Sequence, residues 1–187
     1  RTGLGEKEAA ESGFDVVTCL APAPDRPHFM PEAKPLFLKL IADRNTRKLL
    51  GAQATGPGNA DRRIDIISMA LTAGMTVDQL GNADLTYAPP YSPAVDNIIT
   101  AANIIRNKID GYMNGISPVD VAKMLESGDE FTLLDVRSPA ELEMMRIEGA
   151  LNIPLGTLRK RLDEIDRSKP VVTFCKISLR GYEAALI

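Results

Sequence analysis

Apolar and polar positions alternate with different periods in different parts of the chain. Glu6–Ser12 carries early acids and is followed by Gly13, which predicts a short helix with a stop. Phe14–Leu20 is a continuous apolar run of strand length, and the proline-rich stretch Ala21–Pro27 predicts a turn after it. Leu36–Ile41 and Leu49–Ala54 flank Asp43-Arg44-Asn45-Thr46, a hairpin pattern. Past Gly56, Gly58 and Asn59 the period becomes helical from about Ala60 to Ala73. Ile64, Ile67 and Leu71, with Met69 and Ala70, make its broad apolar face, while Arg62, Arg63 and Asp65 are expected to face water or a partner. Thr76 caps a short helix through Leu80. Leu85–Asp96 contains Pro89, Pro90 and Pro93, which exclude regular helix and favour extended backbone. About Ala94–Ile109 returns to helical spacing with Ile98, Ala101, Ala102, Ile105 and Ile109, a surface that suits either a core or a subunit or domain interface.

The periodicity lapses over Asp110–Gly115, read as a linker. Beyond it the pattern alternates between helix and strand. Ser117 caps a helix starting at Pro118, whose apolar side is Val121, Met124 and Leu125. Phe131–Val136 is a strand, Pro139–Met145 a helix, and Gly149–Pro154 a turn and short strand. Leu155–Ile165 reads as one helix with Leu155, Leu158, Leu162 and Ile165 inward; Val171–Phe174 is a buried strand and Gly181–Ile187 begins a helix. Such alternation predicts a small α/β domain on a parallel sheet. The division expected is 1–109, a linker at 110–115, and 116–187.

Composition adds exclusions. With 187 residues, 44% apolar, 25% charged and a net charge of −3, the chain has no general attraction to nucleic acid. No stretch of about 18 apolar residues suggests a membrane span, and no export signal is visible, so the expected compartment is the cytoplasm. The first residue is not Met and the last lies inside an apolar run, so the chain is read as a piece of a longer protein. His28 is the only histidine, which argues against a Ser-His-Asp triad or a multi-histidine metal site. Cys19 sits in an apolar run and reads as a small core residue.

Cys175 is set differently. It ends a buried strand, where open α/β sheets place their ligands, and Arg180 follows five residues later at a helix start. The intervening loop can aim successive N–H groups at an anion, and Lys176, Arg180 and the helix's positive end favour a thiolate. A thiolate there can take sulfur from a donor, hold it as a persulfide and pass it to another thiolate. The same Cys-x4-Arg spacing serves phosphate chemistry, for which Asp135 is the candidate acid. A core cysteine beside a solvated arginine is the plain alternative.

Leu133-Leu134-Asp135-Val136-Arg137-Ser138-Pro139, Glu141, and Ile147-Glu148-Gly149-Ala150-Leu151-Asn152-Ile153-Pro154-Leu155, followed by Cys175–Arg180, resemble the rhodanese framework over about Gly115–Ile187. The resemblance implies that Cys175 carries sulfur, Arg180 organises the loop, Lys176 and Ser178 belong to it, and Asp135 and Arg137 form a supporting charged network. Ser178 stands where relatives often have glycine, Arg146 where they often have histidine, and the domain is expected to be incomplete at its C-terminal end. A noncatalytic binding or regulatory module is the corresponding alternative.

Leu36–Ile41, Leu49–Gln53 and Arg62–Asp65 are similar to the dimerisation domain of flavin-dependent disulfide reductases. Asp84-Leu85-Thr86-Tyr87-Ala88-Pro89-Pro90-Tyr91-Ser92-Pro93-Ala94-Val95-Asp96 resembles coenzyme A-disulfide reductases, including the branch with a fused C-terminal rhodanese domain. The fold this implies is an α+β dimerisation domain followed by a truncated α/β rhodanese-like domain. The parent enzyme implied is a homodimer using FAD and NADH or NADPH to reduce coenzyme A persulfides, polysulfides or disulfides. Tyr87 is expected to reach the partner subunit's active site, with His28 and Phe29 near the same region or serving packing. Gly56-Pro57-Gly58 is too short for a dinucleotide motif, so the FAD and nicotinamide sites are expected in an N-terminal region outside the chain, and no metal site is expected.

Overall fold

The computed structural model describes residues 1–187, which divide into two compact units, Arg1–Tyr112 and Met113–Ile187. No helix is long and apolar enough to cross a membrane.

The first unit is built on an antiparallel four-stranded sheet in the order β1-β4-β3-β2, with β1 at Thr2–Gly3, β2 at Val16–Pro24, β3 at Pro35–Asp43 and β4 at Leu49–Thr55. Helix α1 (Glu6–Glu11) precedes β2. β2 runs on through Ala21–Pro24, residues expected to turn, and Pro22 and Pro24 lie opposite Phe37 and Pro35. The extension is possible because β2 is an edge strand, where a missing N–H need not interrupt a ladder. The hairpin between β3 and β4 forms as the pattern requires: Asp43 Oδ2 accepts from the backbone N–H and hydroxyl of Thr46.

Helices α2 (Ala60–Thr72) and α4 (Asn97–Ile109) cover one face of this sheet, α2 against β4 and α4 against β2 and β3. Ile98, Ala101, Ala102 and Ile105 of α4 are fully buried with Leu38, Leu40, Ala52 and Ile67. The generous apolar side of α4 is therefore core. Thr76 caps α3 (Val77–Gly81), accepting from the Gln79 N–H, and Asp96 caps α4 through the Ile98 N–H. Cys19 is buried, its Sγ 3.3 Å from the Ala101 carbonyl, and burial pushes its thiol up to about 11.

Arg63 departs from expectation. It was expected to face solvent or a partner, but its side chain is fully buried, and its Nη2 lies 2.9 Å from Asp96. The helical period put it near the edge of the apolar face; only the return of Asp96 to that place supplies the charge partner that burial demands.

The second unit has a parallel three-stranded sheet, β6-β5-β7, formed by β5 (Thr132–Asp135), β6 (Leu151–Asn152) and β7 (Val171–Phe174). Its core gathers Leu134, Val136, Ile153, Leu158 and Ala184, with Cys175 packed against them. The helix expected over Leu155–Ile165 is broken into α7 (Leu155–Leu158) and a 3-10 turn at Leu162–Glu164. Lys160 and Arg161 donate three residues back, and Arg161 and Glu164 pair at the i,i+3 spacing that a 3-10 turn aligns. The inward set Leu155, Leu158, Leu162 and Ile165 is retained. Helix α5 (Pro118–Ser127) is capped by Ser117, yet none of its residues is buried: Val121 and Met124 are half-buried and Leu125 is exposed. No other element of this unit packs extensively along its apolar side. Helices α6 (Pro139–Met144) and α8 (Leu179–Ala185) flank the carboxyl end of the sheet.

Candidate functional site

Cys175 follows β7 directly, as a strand-end position requires, and is half-buried against the core. The loop Cys175–Ser178 turns the chain into α8, which starts at Leu179, two residues earlier than its apolar pattern suggests, so Arg180 lies in its first turn. Two contacts seat α8 on β7. The Thr173 hydroxyl donates to the Gly181 carbonyl at 2.7 Å, and Gly181 lies so close that a Cβ there would stand 3.2 Å from Phe174 Cα. A side chain at 181 would force α8 and β7 apart by a few tenths of an ångström and shift Arg180 with the helix.

Arg180 is held by Glu141. Its two terminal nitrogens donate to the two carboxylate oxygens at 2.8 and 2.7 Å, a bidentate clamp. Glu141 Oε2 also accepts from the Ser138 N–H and hydroxyl, both at 2.9 Å, so one carboxylate caps α6 and orients the loop arginine. Arg180, then the Ser138 N–H and hydroxyl, hold the Glu141 carboxyl far below the usual carboxylate range. Arg180 is held above the ordinary guanidinium range chiefly by Glu141. Sequence assigns Glu141 no role beyond its place in the rhodanese framework, although Ser138-x-x-Glu141 has capping-box spacing.

Asp135 and Arg137 lie beneath the loop and pair with each other. Arg137 Nε reaches the Asp135 oxygens at 2.9 and 3.0 Å, and Nη2 lies 2.6 Å from Oδ2. The Arg137 guanidinium stands 5.7 Å over the ring of Phe174, the residue before Cys175, and also donates to the Met145 carbonyl. Asp135 is 1% exposed with both oxygens engaged by Arg137, so it is not placed as the proton donor that phosphate chemistry would need. Lys176 and Arg146 are exposed.

Ser178 has φ 78° and ψ −31°, a left-handed conformation at which a Cβ is strained, and its side chain makes no capping bond to α8. Ser178→Gly is expected to stabilise the second unit by about 1 kcal/mol, read from a thermal unfolding curve of the chain; a loss of stability would show the serine to be favourable there.

Tyr87 lies in the first unit, 53% exposed, on the proline-rich segment, and Tyr91 is 68% exposed on the same segment. Phe29 is also exposed and meets His28 edge-on, ring centroids 5.9 Å apart. Gly56 and Gly58 are not a nucleotide cradle. A Cβ on Gly56 would lie 2.5 Å from the Pro35 carbonyl and one on Gly58 2.7 Å from the Asp25 Cβ, so both glycines serve close packing. Neither glycine forms the open phosphate-binding turn that a dinucleotide would need.

Residues 1–99 match the pyridine nucleotide-disulphide oxidoreductase dimerisation domain. The chain belongs to that family. Residues 117–187 match the rhodanese-like domain, so the dimerisation domain is followed by a rhodanese-like one. The chain is 39% identical over 106 residues to the NAD(P)H sulfur oxidoreductase (CoA-dependent) of Pyrococcus furiosus, covering 57% of this chain and 24% of that protein. Among solved structures it is similar to an NAD-dependent persulfide reductase from A. fulgidus, at 45% identity and a TM-score of 0.88. It is also similar to reduced CoADR-RHD of Bacillus anthracis, at 35% identity and a TM-score of 0.92. Each alignment covers 99% of this chain and 33% of the other. The chain therefore spans about a quarter of the curated relative's length and a third of these two solved relatives.

Proposed function

We propose that this chain is the dimerisation and sulfur-carrying part of an FAD-dependent NAD(P)H oxidoreductase that reduces coenzyme A persulfides, polysulfides or disulfides, with Cys175 as the sulfur carrier. The observation that carries the reading is Cys175 at a strand end beside Arg180, itself clamped by Glu141, in a chain that also holds the dimerisation domain. The flavin and nicotinamide nucleotide would supply electrons from residues outside this chain.

The sulfur step uses this chain's own groups. The Cys175 thiolate attacks the outer sulfur of a persulfide R–S–SH; the bond between the two sulfurs of the donor breaks and R–S⁻ leaves. The product is Cys175–S–SH, which a second thiolate attacks in turn, taking the outer sulfur and releasing the Cys175 thiolate. No net oxidation occurs in either transfer. Arg180 places a fixed positive charge beside the sulfur as negative charge moves through it. In the homodimer, Tyr87 would approach the partner's active site and donate a hydrogen bond to a developing thiolate.

Incubating the full-length protein with coenzyme A persulfide should add one sulfur at Cys175, detected by peptide mass spectrometry, and should drive NADH or NADPH oxidation. Neither a loaded Cys175 nor persulfide-dependent oxidation would sink the proposal. Oxidation without loading would instead leave the rhodanese-like domain as a binding module.

A further inference from the structure

The tyrosine-bearing segment is a closed loop. Ser92 is fully buried and its hydroxyl donates to the Thr86 carbonyl at 2.8 Å, joining the two ends. The N–H groups of Tyr91 and Ser92 both donate to the Ala88 carbonyl, and Pro89 and Pro90 restrict the backbone between them. Tyr87 and Tyr91 are thus displayed on a preorganised backbone at low entropic cost.

The loop is fastened to the rest of the unit by charge. Arg26 Nη1 donates to the Pro90 carbonyl at 2.9 Å, and Arg26 in turn grips the buried Asp25 through Nε and Nη2 at 3.3 and 3.1 Å. Asp25 also accepts from the N–H of Lys34 at 2.9 Å and of Asn59 at 3.4 Å. Burial raises the Asp25 carboxyl, but Arg26 and these N–H groups outweigh it and hold it below its ordinary value. Four residues after Ser92 comes Asp96, also buried. Between the two aspartates lies Arg63: Nη2 donates to Asp96 Oδ2 at 2.9 Å and to the Asp25 carbonyl at 2.8 Å, Nε to Asp96 Oδ1 at 3.4 Å, and Nη1 to the Asn59 carbonyl at 3.3 Å.

A buried guanidinium is a poor source of stability, since apolar groups of the same volume do as well or better. What it supplies is direction: a planar fork that fixes three backbone segments at set angles. We propose that Arg63 is a positioning residue for the Tyr87 loop, registering its C-terminal stem at Asp96 against the Asp25–Arg26 strap that holds its tip. The consequence for turnover rests on the reading of Tyr87 given above; the consequence for loop order does not.

The test uses the full-length protein with Arg63→Lys, which keeps a charge but cannot span Asp96 and both carbonyls, and with Arg63→Met. Hydrogen exchange in the peptide covering 85–93 should rise about tenfold in Arg63→Lys, with the global unfolding midpoint shifted far less than the local protection. With coenzyme A persulfide, kcat should fall about tenfold while KM changes little, and combining Arg63→Lys with Tyr87→Phe should cost no more than Tyr87→Phe alone. Unchanged exchange in 85–93 in either folded variant overturns the proposal, as do additive losses in the double variant. If Arg63→Met does not fold, Arg63→Lys decides. If Tyr87→Phe has full activity, the reading of Tyr87 fails, and exchange in 85–93 alone decides the role of Arg63.

Discussion

Cys175→Ser in the full-length protein is expected to abolish sulfur loading and to lower persulfide transfer by on the order of 10³-fold or more. The substitution keeps the size of the side chain, and Arg180, Glu141 and the seating of α8 do not depend on the sulfur for their hydrogen bonds. What is lost is chemical: a serine hydroxyl is barely ionised near neutrality and its oxygen cannot form the sulfur–sulfur bond. Transfer measured by release of R–S⁻ from a coenzyme A persulfide reads the loss directly. Retained transfer would assign the rhodanese-like domain to binding instead of chemistry.

Removing Asp135 should have the largest effect on stability. Arg137 is buried against Phe174 and its carboxylate partner is 1% exposed, so Asp135→Ala leaves an unpaired cation under the loop. Stability of the second unit should fall by about 3–5 kcal/mol, seen as an early transition in chemical denaturation. Replacing both members, Asp135→Leu with Arg137→Met, should restore most of that loss because the uncompensated charge is gone. Sulfur transfer should remain depressed in the double variant, since Phe174, next to Cys175 in the chain, loses the guanidinium over its ring. A double variant as unstable as Asp135→Ala would mean that the pair acts through packing and not through charge.

Much of the site could be read from sequence because its signals are local. A largely apolar run ending at Cys175, with Arg180 five residues on, specifies a strand, a loop and a helix start, and Ser178, which stands where relatives often have glycine, has a positive φ. Glu141 could be read as a helix cap from its spacing to Ser138, but not as the partner of Arg180, which lies 39 residues away in sequence. The continuous helix expected after Pro154 shows the limit of periodicity: it selects the four residues that turn inward without specifying whether the backbone between them stays helical.

Sequence by itself determined the two-part order, the caps at Thr76 and Ser117, the hairpin at Asp43–Thr46, and a cysteine at a strand end. Each of these depends on residues within a few positions of one another, where backbone sterics and capping bonds decide. Tertiary structure alone decided that Arg63 is buried, that β2 continues through two prolines at a sheet edge, and that Glu141 grips Arg180. These rest on partners from different elements. The energy of a charge depends on what stands opposite it, and that is settled only when the chain has folded.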